Sequence, residues 1–277
     1  MRVTVGMGQM LVIGGAVEDN LTRAVRMIER AAAAGCQVAV LPECLNVGWM
    51  HPDTPRLAAP IPGPHADMLC RAARAARIHV VAGLAETEGG LAYNAAVLIA
   101  PSGEILLKHR KINELSAALG VYATGQALTV AATPLGMIGV LICADNFPGS
   151  LALGHAVARM GARLILSPCA WAVEADFDHV RTPYGGLWRS AYGTLADLYD
   201  LAVVGVSNVG PIDAGAWRGR LCIGCSLVVG PGGRVLAAGP YGVTAEALVC
   251  VEVEVSPPPA QGTELLALLR SRGYEGP

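Results

Sequence analysis

The chain repeats one order of elements, and this repetition limits the folds that it can adopt. The segment "VEDNLTRAVRMIERAAAAG" places apolar residues at helical spacing, begins with acids and ends at Gly35, as an amphipathic helix does. The short apolar segment "QVAVLPE" that follows it is typical of a buried strand. From "SLALGHAVARMGA" onward the order of helix, strand, helix, strand and hairpin occurs a second time. The alternation predicts an α/β fold.

Two hairpin segments strengthen this repeat. The stretches "NAAVLIAPSGEILLKHR" and "GCSLVVGPGGRVLAAGP" each contain an apolar strand, a turn with Pro and Gly, and a second apolar strand. We predict two similar halves packed sheet on sheet with helices outside, a four-layer α-β-β-α sandwich. Residues 1–255 should form this single domain. The tail at 256–277, which opens with three prolines after its first serine, should carry a short helix that docks on the body or on a partner subunit.

Composition narrows the class of ligand. With 277 residues of which 53% are hydrophobic, the chain can bury a large core. A formal charge of −2 and only 15% charged residues provide no basic surface, so nucleic acid is not an expected partner. The first residues lack the apolar run of a signal peptide, and no stretch is long enough to span a membrane. We expect a cytoplasmic protein that binds a small molecule and no membrane.

The eight cysteines lie mostly in apolar strings, which is typical of reduced core residues. Cys222 and Cys225 have the spacing of a metal or redox pair. However, "RLCIGCSLVVG" alternates like one strand, on which residues three apart face opposite sides. No second cysteine pair accompanies them, and the six histidines follow no ligand spacing. We therefore predict no metal and no cofactor.

Three reactive side chains follow predicted strands. Glu43 comes after "VAVLP", Lys111 after "ILLKHR" and Cys143 after "IGVLI". Each also has an ordinary explanation: Glu43 as a solvated acid, Lys111 as part of an exposed basic run, and Cys143 as a core thiol. In α/β sheets, however, functional groups gather where strands end, because a rigid element positions them next to open space. Their joint occurrence makes these three residues the predicted functional site.

Five stretches with these residues resemble the nitrilase, or carbon-nitrogen hydrolase, superfamily over nearly the whole chain. They are "VLPE", "YNAAVLIAPSGEILLKHRKI", "GVLICADNFP", "GARLILSPCAW", and "VVGVSNVG" followed by "GCSLVVGPGGRVL". The resemblance implies an α-β-β-α sandwich of two similar halves that assembles into homo-oligomers. It also implies a Glu-Lys-Cys triad formed by Glu43, Lys111 and Cys143.

Such a triad suits hydrolysis of a non-peptide C–N bond. The thiolate is the nucleophilic form of cysteine, so a group must accept the thiol proton. We expect Glu43 to act as general base and then as acid, and Lys111 to stabilise the thiolate and the oxyanion. The N–H of Ala144 would supply a second oxyanion contact. The expected substrate is a small amide or an N-carbamoyl compound, which passes through a thioester on Cys143 and releases ammonia or an amine.

The chain departs from many relatives after the cysteine. In "CADNFP", Asp145 matches, whereas Ala144 replaces an aromatic residue and Asn146 replaces an arginine. The resemblance makes Asn146 a substrate-contact candidate, and the missing arginine favours an uncharged substrate. Nitrilases generally carry a Trp-Glu pair here, and its absence favours amide or carbamoyl substrates over nitriles.

Two further residues have equally plausible structural roles. Glu114, three residues after Lys111, is either a second acid at the substrate or a solvated helix cap. Trp171 in "SPCAW" either lines the pocket or caps a strand. Three other readings of function stay open: nitrile hydrolysis by the same triad, a Cys-His hydrolase, and a non-catalytic binding scaffold.

Overall fold

The computed structural model describes residues 1–276. Its strands, numbered in chain order, are β1 (Arg2–Gln9), β2 (Val38–Val40), β3 (His79–Glu88), β4 (Leu91–Ile99), β5 (Ile105–Arg110), β6 (Val130–Thr133), β7 (Gly136–Val140), β8 (Leu164–Cys169), β9 (Ala172–Val173), β10 (Ala202–Ser207), β11 (Val209–Pro211), β12 (Leu221–Ile223), β13 (Leu227–Gly230), β14 (Arg234–Ala238) and β15 (Ala247–Glu254). Its α-helices are α1 (Val17–Ala33), α2 (Thr54–Leu57), α3 (Pro64–Ala76), α4 (Leu151–Arg159), α5 (Gly186–Tyr199) and α6 (Gly262–Ser271).

Two six-stranded sheets have the same internal order. The first runs β15-β1-β2-β3-β4-β5 and the second runs β6-β7-β8-β10-β13-β14. In both sheets the second, third and fourth strands are parallel, and the flanking neighbours are antiparallel. Both predicted hairpins form, as β4–β5 and β13–β14. The prediction of two similar halves is confirmed.

The sheets pack face to face and helices cover their outer faces. One buried cluster joins Val5 and Val40 of the first sheet to Val140 and Leu166 of the second. A separate cluster joins the outer face of the first sheet to α1 and α3. On α1 the buried residues recur at helical spacing, so this helix buries one stripe against the sheet: Leu21, Ala24, Ile28 and Ala31. Helices α4 and α5 pack on the second sheet, which completes the predicted α-β-β-α sandwich.

The prediction of one continuous strand in "RLCIGCSLVVG" is wrong. Strand β12 ends at Ile223 and belongs to a small third sheet with β11 and β9, whereas β13 begins only at Leu227. Gly224 and Cys225 between them have φ angles of 64° and 58°, which break the extended backbone. A Cβ at Gly224 would lie 2.1 Å from Gln9 Nε2, so the buried Gln9 amide requires glycine at the break.

The cysteines are reduced in the fold. All eight thiols are free. Cys222 is buried and Cys225 is half-buried. Within residues 1–276, no group of three or more His, Cys, Asp or Glu side chains is arranged to hold a metal ion.

The C-terminal tail packs on the second half of the same chain. Leu269 of α6 is fully buried in the main core. Arg272 donates hydrogen bonds of 2.9 and 2.8 Å to the carbonyls of Asp197 and Leu198, and it pairs with Asp200 at 2.8 Å. As far as the described residues extend, no helix has the length and apolar character needed to cross a membrane.

Candidate active site

The predicted triad comes from both sheets. Glu43 follows β2 and Lys111 follows β5 in the first sheet, whereas Cys143 lies three residues beyond β7 in the second. The backbone N–H of Glu43 donates to the carbonyl of Cys169 on β8 at 3.2 Å, which joins the two sheets at this point. Glu43, Lys111 and Cys143 line one cavity. The fold therefore brings together all three residues that sequence order placed at strand ends.

Cys143 lies at a strained turn. Its φ angle of 61° is left-handed, which is uncommon for a residue other than glycine and is often found at functional sites. It begins a 3-10 turn, Cys143–Asn146, and its N–H donates to Ser167 Oγ at 3.1 Å. The Asp145 N–H closes the turn on the carbonyl of Ile142 at 2.7 Å. This rigid turn fixes the thiol at the wall of the cavity.

Glu43 and Lys111 form a buried ion pair. Lys111 Nζ lies 2.7 Å from Glu43 Oε1, and both side chains are 1% exposed. Asn94 Nδ2 donates to the same oxygen at 2.6 Å. The other oxygen, Glu43 Oε2, has no hydrogen-bond partner among residues 1–276. One carboxylate oxygen is thus fixed by two donors, while the second is available to accept a proton.

The local charges keep Lys111 protonated. Burial opposes its charge, but Glu43, Cys143 and Glu114 together raise the pKa of Lys111 well above its usual value. A lysine that stays cationic cannot act as a base, but it stabilises negative charge on a neighbouring sulfur or oxygen. This leaves Glu43 as the charged group of the pair that can accept a proton.

The resting form of Cys143 is the thiol. A hydrogen bond with Cys169, then burial and the charge of Glu43, raise the pKa of Cys143 well above its usual value, while Lys111 acts in the opposite sense. The thiol therefore needs a base at the moment of attack. Glu43, which lines the same cavity, is the carboxylate positioned for this role.

Glu114 is a second buried acid near Lys111, and its side chain is not solvated. Its carboxylate is 0% exposed and lies 3.7 Å from Lys111 Nζ, and neither oxygen has a hydrogen-bond partner within the described residues. Burial raises the pKa of Glu114 to about 7, although the charge of Lys111 opposes this. Glu114 is not part of the cavity wall.

Replacing Glu114 with glutamine should change the pH dependence of stability. A carboxyl whose pKa rises on folding binds more protons in the folded state, so its contribution to stability declines between its unfolded pKa and about pH 7. Glu114→Gln removes this decline. The difference in free energy of unfolding between the variant and wild type should therefore grow in favour of the variant, by on the order of 3 kcal/mol between pH 4.5 and pH 8. Urea unfolding across this range measures the difference. A difference independent of pH would contradict the assignment.

Asp145 connects the loop after Lys111 to the turn that carries Cys143. Its Oδ1 accepts the N–H groups of Ile112 at 3.0 Å and Asn113 at 2.7 Å. Its Oδ2 accepts His109 Nε2 at 2.8 Å and the N–H of Ile142 at 3.0 Å. Burial opposes the charge, but the hydrogen bonds, that from His109 foremost, keep the pKa of Asp145 below its usual range. Sequence comparison marked Asp145 only as a matching residue, and its bridging role depends on contacts more than thirty residues apart.

Asp145→Asn should lower stability and activity although Asp145 does not line the cavity. The amide NH₂ would face donor groups in place of an acceptor, which leaves buried N–H groups unpaired at a cost of about 2–4 kcal/mol. We expect a matching fall in the free energy of unfolding, measured in urea. Asp67→Asn, on the exposed face of α3, is the control and should change stability by less than about 0.5 kcal/mol. Equal stability of the two variants would refute the bridging role.

The remaining predicted contacts divide into two groups. The Ala144 N–H directly follows Cys143 and donates no hydrogen bond within the part of the chain described. Asn146 is fully buried and its Nδ2 donates at 3.1 Å to Ser167 Oγ, which also accepts from Cys143 N–H. Asn146 thus supports the cysteine turn and does not line the cavity, whereas Trp171 lines it.

The cavity has a volume of about 450 Å³ and a largely aromatic wall. Trp171 stacks on Trp188 at 4.8 Å, and Trp49 meets Trp217 edge to face at 4.7 Å. Sequence reasoning did not identify Trp188, Phe147 or Tyr184 as parts of the wall, because no short motif marks them. Asn94 was also missed, although a lone amide in the apolar strand "LAYNAAVLIA" is a signal of its role.

Comparison with known sequences identifies the family. The sequence model of the carbon-nitrogen hydrolase family matches residues 4–256. An omega-amidase of Xenopus laevis is 31% identical over 171 residues, which cover 58% of this chain and 61% of that enzyme, less than two thirds of its length. The omega-amidase of Homo sapiens is 29% identical over 258 residues, which cover 88% of this chain and 86% of that enzyme.

Solved structures show the same fold. A carbon-nitrogen hydrolase from Helicobacter pylori G27 superposes with a TM-score of 0.81 at 18% identity, covering 98% of this chain and 93% of that one. A double mutant of the amidase from Nesterenkonia sp. AN1, in complex with acrylamide, superposes with a TM-score of 0.76 at 22% identity, covering 91% of each chain. With the family match over almost the whole length, the chain belongs to the carbon-nitrogen hydrolase family.

Proposed function

We propose that this protein is an amidase-type hydrolase that cleaves the C–N bond of a small amide or N-carbamoyl compound through an acyl-enzyme on Cys143. The observation that carries the proposal is the cavity whose wall contains Glu43, Lys111 and Cys143 together. Family membership and the names of the omega-amidase and amidase relatives agree with it. They also favour catalysis over a non-catalytic scaffold of the same fold.

In the first half-reaction Glu43 accepts the proton of the Cys143 thiol as the sulfur attacks the carbonyl carbon. The carbonyl oxygen gains the negative charge, which Lys111 Nζ and the Ala144 N–H stabilise. Glu43 then gives its proton to the departing nitrogen, and the C–N bond breaks. Ammonia or an amine leaves, and the acyl group remains on sulfur as a thioester.

In the second half-reaction Glu43 removes a proton from water, and the oxygen attacks the thioester carbon. The C–S bond breaks, the carboxylic acid is released, and the proton on Glu43 returns to the thiolate. Glu43 thus serves as base, acid and base again, which a single carboxylate can do because each half-reaction restores its charge. Lys111 keeps its proton throughout, in agreement with its raised pKa.

The proposal extends to the surrounding residues and to the assembly. Trp171 forms part of the substrate wall, Asn146 maintains the cysteine turn through Ser167, and Glu114 tunes the charge around Lys111. We also propose that the protein is a homo-oligomer, as the family resemblance implies, and that it acts on small molecules in the cytoplasm.

Trapping the acyl-enzyme tests the proposal. The purified protein is incubated with a panel of amides, N-carbamoyl compounds and nitriles, and ammonia release is measured. Acid-quenched samples are digested, and each cysteine peptide is analysed by mass spectrometry. We expect the acyl mass on the Cys143 peptide during turnover of an amide or carbamoyl compound, and none on the peptide of half-buried Cys70, the internal control. Turnover with the acyl group on a different residue would refute the assignment.

A further inference from the structure

The tryptophans and phenylalanines of this chain are concentrated at one place. The sequence contains four tryptophans and two phenylalanines, and aromatic residues are only 5% of the total. All six line the cavity that holds the triad: Trp49, Phe147, Trp171, Phe177, Trp188 and Trp217. Core packing elsewhere relies on aliphatic residues and tyrosine. The distribution therefore points to a ligand requirement, because a packing requirement would spread these residues through the core.

The aromatic rings in the cavity wall form two groups. In the first, Trp188 contacts both Trp171, at 4.8 Å, and Phe147, at 5.2 Å, and the Trp171–Trp188 planes are 21° apart. In the second, Trp49 and Trp217 meet edge to face, and Lys111 Nζ lies 5.9 Å from the Trp49 ring. Flat apolar faces next to the nucleophile suit a planar apolar group of the substrate.

Charge in the cavity wall is confined to the triad. Of the residues that line it, only Glu43 and Lys111 carry charge, and they neutralise each other at 2.7 Å. The Arg220 guanidinium, which stacks 3.9 Å from the Trp217 ring, is paired with Glu174. An anionic acyl group in this cavity would have to share Lys111 with Glu43 and Glu114, and it would lose its hydration.

Resting on the proposed function, we infer that the substrate class is primary amides whose acyl group carries an uncharged aromatic ring. The cavity of about 450 Å³ is in the range of sites that enclose drug-sized ligands, roughly 300–1,000 Å³, and a two-carbon amide would leave most of it filled with water. The acyl side is the part that the walls must hold, because it stays on Cys143 through both half-reactions while the nitrogen product leaves. Burial of a phenyl ring against the aromatic rings of the cavity wall favours binding of the aromatic amide.

Steady-state kinetics with three primary amides test the inference. All three share the same primary amide group and differ in the acyl part. Phenylacetamide has an aromatic acyl part, acetamide has the smallest one, and the monoamide of succinic acid has an anionic one. We expect kcat/KM for phenylacetamide to exceed each of the others by at least about tenfold, equal to about 1.4 kcal/mol of transition-state binding. Trp217→Ala should reduce kcat/KM for phenylacetamide at least about fivefold more than for acetamide. Leu91→Ala, at the exposed start of β4, is the control and should leave the ratio unchanged.

Binding is measured separately with Cys143→Ser. Because every tryptophan of the chain lines the cavity, intrinsic tryptophan fluorescence reports on its occupancy. Phenylacetamide should change the emission at concentrations at least about tenfold below those needed for the succinic monoamide. Preferred turnover or binding of acetamide or the anionic amide would overturn the substrate class and leave the proposed function intact. Failure of all three amides to acylate Cys143, with turnover of another amide or N-carbamoyl compound from the wider panel, would also overturn the substrate class alone. Failure of the whole panel to acylate Cys143 would overturn the proposed function, and the fluorescence titration would still decide the preference of the cavity.

Discussion

Replacing Cys143 with serine is expected to abolish amide hydrolysis and leave the protein folded. Serine is close in size and keeps the backbone N–H that donates to Ser167 Oγ, so the turn Cys143–Asn146 should persist. Its hydroxyl is a much weaker acid than a thiol, so a carboxylate such as Glu43 is too weak a base to generate the alkoxide. We expect kcat to fall by at least about 10⁴-fold, since loss of the nucleophile removes the acyl-enzyme pathway altogether. Ammonia release from a turned-over amide measures this fall.

A second cysteine variant provides the control. Cys70 is a half-buried free thiol on α3 that does not line the cavity, so Cys70→Ser should keep activity within about twofold of wild type. Circular dichroism and the urea midpoint should show both variants folded. A folded Cys143→Ser protein that hydrolyses amides at the wild-type rate would refute the proposed mechanism.

Glu43→Gln should separate the reactivity of the thiol from turnover. Glutamine keeps an oxygen that can accept from Lys111 and Asn94, but it cannot accept a proton. Hydrolysis should therefore fall by about 10²–10⁴-fold, the usual contribution of a general base. The charge of Glu43 is one of the causes that raise the pKa of Cys143, whereas Lys111 lowers it. Removal of the carboxylate charge should therefore make the thiol more acidic.

We accordingly expect iodoacetamide to modify Cys143 in Glu43→Gln at least as fast as in wild type at pH 8, while hydrolysis is lost. Mass spectrometry of the Cys143 peptide measures the alkylation rate. Glu29→Gln, on the exposed side of α1, is the matched control and should leave both rates unchanged. A parallel loss of alkylation and hydrolysis would indicate a collapsed site, and retained hydrolysis would exclude Glu43 as the base.

The architecture and the positions of the three candidate residues were predictable because both leave local signals. A strand, a turn with Pro and Gly, and a second strand occur at the end of each half, and the structure forms β4–β5 and β13–β14 there. Glu43, Lys111 and Cys143 each follow an apolar strand directly or within a few residues. Local patterns of this kind specify element type and sequence order.

What escaped prediction depends on contacts between distant segments. At the break, Gly224 packs against the Gln9 amide, which lies more than two hundred residues away in the chain. The aromatic wall includes Phe147, Trp217 and residues near α5, and the fold alone brings these rings together. Burial of Glu114, which raises its pKa to about 7, likewise follows from packing around Lys111, and the sequence is compatible with a solvated cap.

Because the three triad residues come from two sheets, amide hydrolysis requires that the two halves have docked on each other. Glu43 and Lys111 belong to the first sheet and Cys143 to the second, and Asp145 and the Glu43 N–H link the two across the interface. A chain in which each half has formed its own strands, but the halves have not yet closed on each other, has a lone thiol and a lone ion pair. Amide cleavage should therefore be the last property to return during refolding, after the far-ultraviolet signal of strands and helices has recovered.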